Sequence, residues 1–416
     1  MATAAELKVK EPAIDPIDVS RKELYSEDRW QEPFRQLRKH APIQWVPESD
    51  FGPYWSVSTY KPIQHIEALP KIFSSQWDRG GIAISGDPAL LEKYNMREPM
   101  FIAMDPPQHT GQRRTVAPSF GPSEVAEMKA EVQQRTAEVL DSLPIGETFD
   151  WVQKVSIELT TGMLAKLFDF PWEERHKLTE WSDYGGDVEL IKDEGNIELR
   201  LSKMQEMGAA FAALWQQRVA NPGTDLVSVM LQSEAMKDMS PEETIGNLIL
   251  LIVGGNDTTR NSMSGYAYGL HQYPEERAKL EADPSLIPNA VQEIIRWQTP
   301  LAHMRRTVAE DTDMFGPLMK AGDKVVLWYL SANRDEEIFD DGEAIRVDRP
   351  NARRHLSFGY GIHRCVGARV AELQLITLLE EMAKRRLRVN VVGDPVRVPA
   401  CFVHGFKSLP VELSRY

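Results

Sequence analysis

Apolar residues recur at helical spacing along most of the chain, which places them on one face of a helix. This pattern predicts helices over residues 32–39, 124–142, 151–169, 201–220, 242–272 and 366–386. Alternation of apolar and polar residues predicts a strand at 55–60, and a second strand is predicted at 325–330. Because helices outnumber strands and no linker or repeat interrupts residues 1–416, we expect one large domain, mainly α with small β-sheets.

The helix predicted at 242–272 has well-marked ends. Ser240-Pro241-Glu242-Glu243 is a capping box with proline at the first helical position, and Pro274 stops the far end. About 32 residues at 1.5 Å each give roughly 48 Å, enough to cross a domain. The Gly254-Gly255 pair in its middle indicates either close packing against another helix or a locally opened helix that presents Asp257-Thr258 to a ligand.

Composition and charge narrow the possible functions. The chain has 48 Lys and Arg against 62 Asp and Glu, a net charge of -14, which disfavours general binding to nucleic acid. Two cysteines cannot build a disulfide framework, an all-cysteine zinc site or a four-cysteine iron–sulfur centre. The first residues lack the apolar core of a secretory signal, and the apolar run 248–253 is too short to span a bilayer. We therefore expect a soluble, cytoplasmic protein.

The segment 357–367 carries the strongest chemical signal. Its three glycines predict a tight loop, and Val370 and Leu373 share one face of the helix that follows. Cys365 precedes this helix, where backbone amides and the helix dipole favour a thiolate, and its small neighbours leave room for a flat, bulky group. A lone cysteine is more often a buried structural residue, and a dinucleotide site is a further alternative. The latter lacks its third glycine, and the surrounding pattern favours a ligand-binding thiolate.

The motif Phe358-x-x-Gly361-x-His363-x-Cys365-x-Gly367 resembles the heme-binding loop of cytochrome P450 monooxygenases. Three further motifs of this family occur in the family's order: Asp105-Pro106-Pro107-x-His109-x-x-x-Arg113, Gly254-Gly255-x-Asp257-Thr258-Thr259, and Glu293-x-x-Arg296 with Arg349. The resemblance covers essentially the whole chain. It implies the P450 fold, with the long central helix as the oxygen-binding helix, and heme b as the cofactor.

The resemblance also implies a role for each motif residue. Cys365 is expected to be the axial ligand of the heme iron, and Asp257 and Thr258 are expected to deliver protons to bound O₂. The residues expected to bind the two propionates of the cofactor are His109, Arg113, Arg306 and His363. Arg305 is the alternative to Arg306. In the loop, the residues expected to contact the cofactor are Phe358, Gly361 and Gly367. Glu293, Arg296 and Arg349 are expected to form a buried structural network; the alternative, a solvent-exposed salt bridge, is worth under about 1 kcal/mol.

Electrons must come from a partner protein, because the chain has no dinucleotide fingerprint and too few cysteines for an iron–sulfur cluster. We expect a ferredoxin with an NAD(P)H-dependent ferredoxin reductase. Residues 351–388 contain eight Arg or Lys against three Glu, so 8 − 3 = +5 in an acidic chain. This segment is either a solvated basic helix end or a docking face for an acidic ferredoxin near the cysteine.

Apolar residues occupy the positions that correspond to the family's pocket walls: Ile82, Ile84, Leu250, Val253, Leu301, Met304, Phe402 and Val403. Together they predict an apolar substrate that needs no charged partner. The stretches 303–307, 324–329, 333–335 and 355–359 resemble the bacterial branch that hydroxylates alkanes at the chain end; medium-chain fatty acids are a near alternative. The segment 181–200 falls where the family has a mobile lid.

Three other functions remain as alternatives. One is hydroxylation of another apolar substrate, a terpenoid or an aromatic compound. The second is a heme-thiolate sensor without turnover, and the third is a peroxide-using member of the family. The intact pair Asp257-Thr258 argues against the last two, since a sensor needs no proton relay and peroxide-using members usually replace the pair.

Overall fold

Helices make up most of the secondary structure. The computed structural model describes residues 8–9, 12–85, 88–94, 99–191 and 194–416. The helices are α1 Lys22–Ser26, α2 Gln31–His40, α3 Tyr60–Glu67, α4 Pro88–Lys93, α5 Gln108–Val116, α6 Pro122–Asp141, α7 Ile157–Phe168, α8 His176–Gly186, α9 Glu194–Ala220, α10 Leu226–Gln232, α11 Pro241–Gln272, α12 Pro274–Ala282, α13 Ile287–Gln298, α14 Tyr329–Ala332 and α15 Ala368–Lys384.

The strands form small sheets beside the helices. They are β1 Ile43–Val46, β2 Tyr54–Val57, β3 Phe73–Ser74, β4 Thr148–Asp150, β5 Met304–Val308, β6 Lys324–Leu327, β7 Leu387–Val391, β8 Val396–Arg397, β9 Phe406–Ser408 and β10 Pro410–Arg415. One sheet has the order β1-β2-β6-β5-β3, another β4-β10-β7, and β8 pairs with β9. In the first sheet β2 and β6 run parallel, and the other neighbours run antiparallel. The predicted class, mainly α with small sheets, is confirmed.

The long helix α11 runs through two parts of the hydrophobic core. Leu248 and Ile252, in its first half, pack with α7, α8 and α9. Met263 and Leu270, in its second half, pack with α13, α15 and the sheet β4-β10-β7. The middle of α11 therefore lies where the two parts meet, and it carries the Gly254-Gly255 pair.

The predicted ends of α11 are confirmed. The Ser240 hydroxyl accepts a hydrogen bond from the backbone N–H of Glu243 at 3.2 Å, and Pro241 is the first helical residue. The helix ends at Gln272, before Pro274. It is continuous through the two glycines, so the predicted local opening of the helix is wrong. A Cβ on Gly255 would lie 2.7 Å from Leu164 Cδ2, whereas one on Gly254 would meet nothing within 4 Å. Close packing therefore explains Gly255 only.

Both predicted strands are shorter than expected because tertiary contacts start helices within them. The strand predicted at 55–60 ends at Val57, and Tyr60 begins α3, where its N–H donates to the buried Asp335 carboxylate at 2.8 Å. The strand predicted at 325–330 ends at Leu327, and α14 follows. The partner that caps α3 is 275 residues away in the chain, so local alternation does not reveal it.

The helix predicted at 201–220 begins earlier, at Glu194. Tertiary contacts stabilise the additional turns. Ile197 is buried, and the Arg200 guanidinium donates to the carbonyls of Tyr184 and Gly185 at 3.1 Å each. The predicted helix at 151–169 starts with a π-helical turn at Val152–Ser156 before α7. Within the described part of the chain, no helix has both the length and the apolar character needed to cross a membrane.

Candidate functional site

A cavity of about 720 Å³ lies between the middle of α11 and the loop that precedes α15. Gly254, Asp257 and Thr258 line it from α11, and Phe358 and Cys365 line it from the loop. These motifs are about 100 residues apart in the sequence, and the fold brings them to facing walls of one space. The volume is within the range of about 300–1,000 Å³ that is typical of small-molecule sites.

The loop holds the Cys365 side chain at the cavity wall. The Cys365 N–H donates to the Phe358 carbonyl at 2.7 Å, which closes the loop on itself. Gly359 and Gly361 both have φ of 66°, the left-handed conformation that favours glycine. A Cβ on Gly361 would also lie 2.4 Å from the Glu67 carbonyl oxygen, so this position excludes any side chain.

The surroundings of Cys365 do not favour a thiolate by themselves. Burial raises the pKa of the thiol, and this effect outweighs the backbone N–H of Gly367 and the guanidinium of Arg113, which both lower it. The expected effect of the backbone amides at the helix start has the predicted direction, but burial outweighs it. A metal ion deprotonates a thiol that coordinates it, so a bound metal ion would provide the stabilisation of the thiolate that the protein alone lacks.

Two histidines with unpaired ring nitrogens lie next to the loop. The rings of His109 and His363 are 4.3 Å apart between centroids, and none of their four nitrogens has a hydrogen-bond partner among the described residues. Burial lowers the pKa of His109 to about 4 and lowers the pKa of His363 as well, so both rings are neutral at pH 7. Buried polar groups are normally hydrogen-bonded, and four unpaired nitrogens therefore indicate a polar group that the protein alone does not provide.

Two arginines join the histidines, and the structure distinguishes Arg306 from Arg305. Arg113 and Arg306 line the cavity, and the Arg306 guanidinium lies 3.1 Å from the Glu67 carboxylate. Arg305 instead donates to the Arg79 carbonyl at 3.1 Å. Neighbouring residues of a strand point to opposite faces, so only one member of the doublet in β5 faces the cavity. Arg306 is the better candidate for binding an anion there.

Asp257 lies at the centre of a buried polar network. Its Oδ1 accepts hydrogen bonds from the Ser182 hydroxyl at 2.9 Å and from Arg260 at 2.8 Å. Arg260 also pairs at 2.8 Å with Asp183, whose side chain is 53% exposed. Burial raises the pKa of Asp257 to about 6, more than Arg260 lowers it. The carboxyl can therefore gain and lose a proton near neutral pH, and its network reaches the surface.

Thr258 follows Asp257 and also lines the cavity. Its hydroxyl donates to the Gly254 carbonyl one turn earlier at 2.9 Å. This bond fixes the hydrogen on the helix and leaves the oxygen as an acceptor on the cavity side. The helix therefore presents a carboxyl and a hydroxyl side by side, which is an arrangement suited to moving protons.

Seven of the eight predicted pocket residues line the cavity: Ile82, Leu250, Val253, Leu301, Met304, Phe402 and Val403. The prediction for Ile84 is wrong. The chain bends at Ile82 and Ala83, and Ile84 is fully buried in a separate cluster with Trp328 and Cys401. The Ile84 N–H donates to the His303 ring at 3.3 Å, which turns this residue away from the cavity.

Comparison with known proteins identifies the family. The cytochrome P450 family model matches residues 123–391, which is more than half of the chain. This chain belongs to the cytochrome P450 family. The cofactor of this chain is therefore heme b.

Relatives and solved structures support the assignment over nearly the full length. The chain is 34% identical over 404 residues to linalool 8-monooxygenase of Pseudomonas putida, covering 95% of this chain and 98% of the relative. It is 32% identical over 397 residues to methyl-branched lipid omega-hydroxylase of Mycobacterium tuberculosis, covering 92% and 90%. The solved structure of cytochrome P450-153 from Novosphingobium aromaticivorans superposes with a TM-score of 0.90 at 58% identity, covering 95% of this chain and 99% of that one.

The residues present fit a heme group. A single cysteine sulfur faces the cavity from the loop, and the bare backbone at Gly254 leaves room above it. The unpaired nitrogens of His109 and His363 can donate to propionate oxygens, and Arg113 and Arg306 can supply the opposite charge. Cations that also donate hydrogen bonds make buried carboxylates tolerable. The loop residues Phe358 and Gly367 line the same cavity.

The P450 ion-pair network beside the site is fully buried. Arg296 Nε lies 2.7 Å from Glu293, with both side chains 0% exposed, and Arg349 Nε lies 2.9 Å from the same carboxylate. Arg296 also donates to the carbonyls of Asn333 and Gly342. The alternative of a solvent-exposed pair is therefore excluded. Because α13 and the chain before the heme loop share this network, it fixes the region behind the loop.

The predicted lid consists largely of helix in this P450. Residues 181–200 comprise the end of α8, a 3₁₀ turn at Val188–Ile191 and the start of α9, while 192–193 lie outside the described residues. Val188 packs against Phe402 and Val403, across the cavity wall. The segment thus covers the cavity, and its mobility stays a prediction.

Several residues at the site of this P450 were not predicted from the sequence. Ser182, Arg260 and Asp183 complete the Asp257 network, and Glu67 holds Arg306. Arg260 follows Asp257 by three residues on a helix, and that spacing could have revealed the pair. Glu67 is 239 residues from Arg306, so no local pattern connects them.

Proposed function

We propose that this P450 hydroxylates a medium-chain alkane at its terminal carbon. The observation that supports the proposal is an apolar wall of the cavity, formed by Leu250 and Val253 on α11, by Leu301 before β5 and by Met304 at its start. An antiparallel bridge joins Leu301 to Val403, so this wall has a fixed backbone. One relative, the methyl-branched lipid omega-hydroxylase, is named for reaction at a chain end.

Position along α11 explains how the wall can select the chain end. Leu250 precedes Gly254 by about 6 Å and Thr258 by about 12 Å at 1.5 Å per residue. We infer that a linear chain passing Leu250 presents its end to the centre of the site. A terminal methyl has stronger C–H bonds than an inner methylene, so terminal attack requires that shape excludes the competing geometries.

Heme bound at Cys365 would supply the activation of O₂ and the oxidation of the C–H bond. The protein would orient the cofactor, supply protons and exclude water. His109, Arg113, Arg306 and His363 orient the cofactor through its propionates. The Ser182 hydroxyl and Arg260 hold the Asp257 carboxyl in place, and with heme bound this carboxyl would supply protons beside Thr258. The apolar walls exclude water, which strengthens these polar interactions.

Charge in the cavity favours an uncharged alkane over a fatty acid. Asp78, Glu92 and Asp187 contribute to the lining and repel a carboxylate. The cation Arg200 also contributes, and it offsets only one of these three carboxylates. Titration of the ferric protein with octane and with octanoate compares the two classes, since a substrate that displaces the iron-bound water shifts the Soret band. We expect the tighter response with octane; a tighter response with octanoate would favour the fatty acid.

Shortening Leu250 is expected to change the position of hydroxylation. In Leu250→Ala the wall is wider, so the second carbon of octane reaches the site and the share of 2-octanol rises, measured by gas chromatography. Leu248→Ala is the matched control, because Leu248 is buried in the core of the same helix and is not among the cavity-lining residues. It should lose stability by a few kcal/mol without altering the products. An equal change of products in both variants would contradict the role of Leu250.

We also propose a ferredoxin as the electron donor, docking on the cysteine side of the molecule. The basic segment 351–388 does not form one patch: at the far end of α15, Lys384, Arg385 and Arg388 pair with Glu381, Asp141 and Glu281. Near Cys365 the exposed arginines are Arg353, Arg354, Arg364 and Arg369. This cluster fits the acidic surface of a ferredoxin.

Reversing one charge in this cluster is expected to slow reduction. For Arg369→Glu we expect a stopped-flow rate about tenfold below that of the parent at low ionic strength, because the charge steers the encounter. The difference should shrink as salt rises, since exposed charges are screened over about 10 Å at 0.1 M. The control Lys384→Glu, at the other end of α15, should behave like the parent. Equal slowing in both variants would place the docking face elsewhere.

A further inference from the structure

A buried carboxyl that belongs to none of the motifs lies beside the propionate-binding residues. Glu67 ends α3; its side chain is 1% exposed, and that of its partner Arg306 is 3% exposed. Its Oε1 accepts hydrogen bonds from Arg306 at 3.1 Å and from the Tyr329 hydroxyl, while Oε2 has no partner among the described residues. All three residues contribute to the cavity lining.

Glu67 also supports the cysteine loop. A Cβ on Gly361 would lie 2.4 Å from the Glu67 carbonyl oxygen, and one on Gly359 would lie 3.5 Å from Oε1. The end of α3 therefore touches the loop, the strand that carries Arg306 and the short helix α14. A change of charge at this carboxyl acts on the edge of the cofactor site from within the protein.

The charges at this edge do not balance when Glu67 is ionised. Arg113 and Arg306 supply two cations, and His109 and His363 lie beside the loop with ring nitrogens that have no hydrogen-bond partner among the described residues. The two propionates of heme b supply two anions, and an ionised Glu67 adds a third. A buried charge without a partner is costly, and the usual response is to neutralise the group by protonation. Glu67 can take up that proton on Oε2, which has no hydrogen-bond partner among the described residues.

We propose that Glu67 is a positioning residue for Arg306 and that its charge state tunes the reduction potential of the heme iron. When Glu67 is protonated, Arg306 is free to pair with a propionate and the potential is higher. When Glu67 is ionised, its negative charge favours the ferric state and lowers the potential. The proposal depends on the P450 assignment and is independent of the substrate.

The groups around the carboxyl bring its titration near neutral pH. Burial raises the pKa of Glu67 to about 7, although Arg306 from β5, the Tyr329 hydroxyl from α14 and the backbone of Tyr360 in the loop all lower it. Arg306 also interacts with the neighbouring His363. The proton is therefore lost as pH rises through neutrality.

The test is the reduction potential of the substrate-free holoprotein, measured by spectroelectrochemistry from about pH 6 to about pH 8.5. For the parent we expect the potential to fall as Glu67 ionises. Glu67→Gln keeps the size and one acceptor oxygen but cannot ionise. At the upper pH and a given applied potential, the ferrous-to-ferric ratio of this variant should be about tenfold higher than that of the parent. This corresponds to a reduction potential about 59 mV higher. The potential of the variant should not change with pH in this range.

Two further variants separate this role from a structural one. Glu124→Gln removes an exposed charge from the first turn of α6 and should leave the potential unchanged. Tyr329→Phe removes a donor that favours the ionised carboxylate, so the fall in potential should move to higher pH. If Glu67→Gln holds heme and keeps the parent's pH dependence, the proposal is wrong. If that variant does not hold heme, an unmoved pH dependence in Tyr329→Phe overturns it instead.

Discussion

Replacing Cys365 by Ser is expected to abolish hydroxylation and the carbon monoxide difference band of thiolate-ligated heme. With heme bound, a thiolate at Cys365 would supply the electron density that favours O–O cleavage, and a serine hydroxyl would not. In the structure Cys365 lines the cavity opposite α11, and the Phe358 carbonyl fixes its backbone at 2.7 Å. Serine keeps that backbone bond, so the loop should still fold.

The second cysteine provides the matched control. Cys401 is fully buried in the core cluster with Trp328 and is not among the cavity-lining residues. Cys401→Ser should therefore keep the band and the activity, apart from some loss of stability. A thiolate-type band that persists in Cys365→Ser, or one that disappears in Cys401→Ser, would contradict the assignment of the axial ligand.

Replacing Asp257 by Asn is expected to slow hydroxylation by about 100-fold, the lower end of what a positioned acid or base contributes. The amide oxygen can still accept from Ser182 and Arg260, but the group cannot transfer a proton. The measurement is turnover with saturating reduced ferredoxin, together with the solvent hydrogen isotope effect. Asp183→Asn, which changes the exposed partner of Arg260, should have a much smaller effect. Unchanged turnover in Asp257→Asn would mean that protons take another route.

The pH dependence provides a second test of the same carboxyl. Because burial raises the pKa of Asp257 to about 6, the protonated form is abundant below that pH and becomes scarce above it. Proton delivery should therefore slow as pH rises above about 6 in the parent enzyme. The Asn variant has no group to titrate there, so its slower rate should lack this dependence.

Local sequence patterns predicted the features that depend on nearby residues. The capping box at Ser240 located the start of α11, and helical periodicity located α2, α6 and α15 to within two residues at each end. The resemblance of the motifs around Cys365 and Asp257 to the P450 family implied that they serve one cofactor site, and both line the same cavity. The spacing of Glu293 and Arg296 predicted their ion pair, and the structure shows it buried.

Features that depend on distant residues were not predictable in this way. Asp335 starts α3 from 275 residues away, and Glu67 meets Arg306 only when α3 packs against β5. Ile84 has the same apolar character as Ile82, but a bend turns it into the core. The thiol pKa of Cys365 depends on burial by the whole fold, which outweighs the local helix start. These properties arise from tertiary packing.

The central claim is terminal hydroxylation by a P450 whose apolar wall admits only a chain end. Its most direct test is the product distribution of the parent enzyme with octane, NADH, ferredoxin and ferredoxin reductase, analysed by gas chromatography. The account predicts 1-octanol as the main product, with little 2-octanol and no product when hydrogen peroxide replaces the electron-transfer proteins. Mainly internal alcohols, or no turnover of octane, would contradict it.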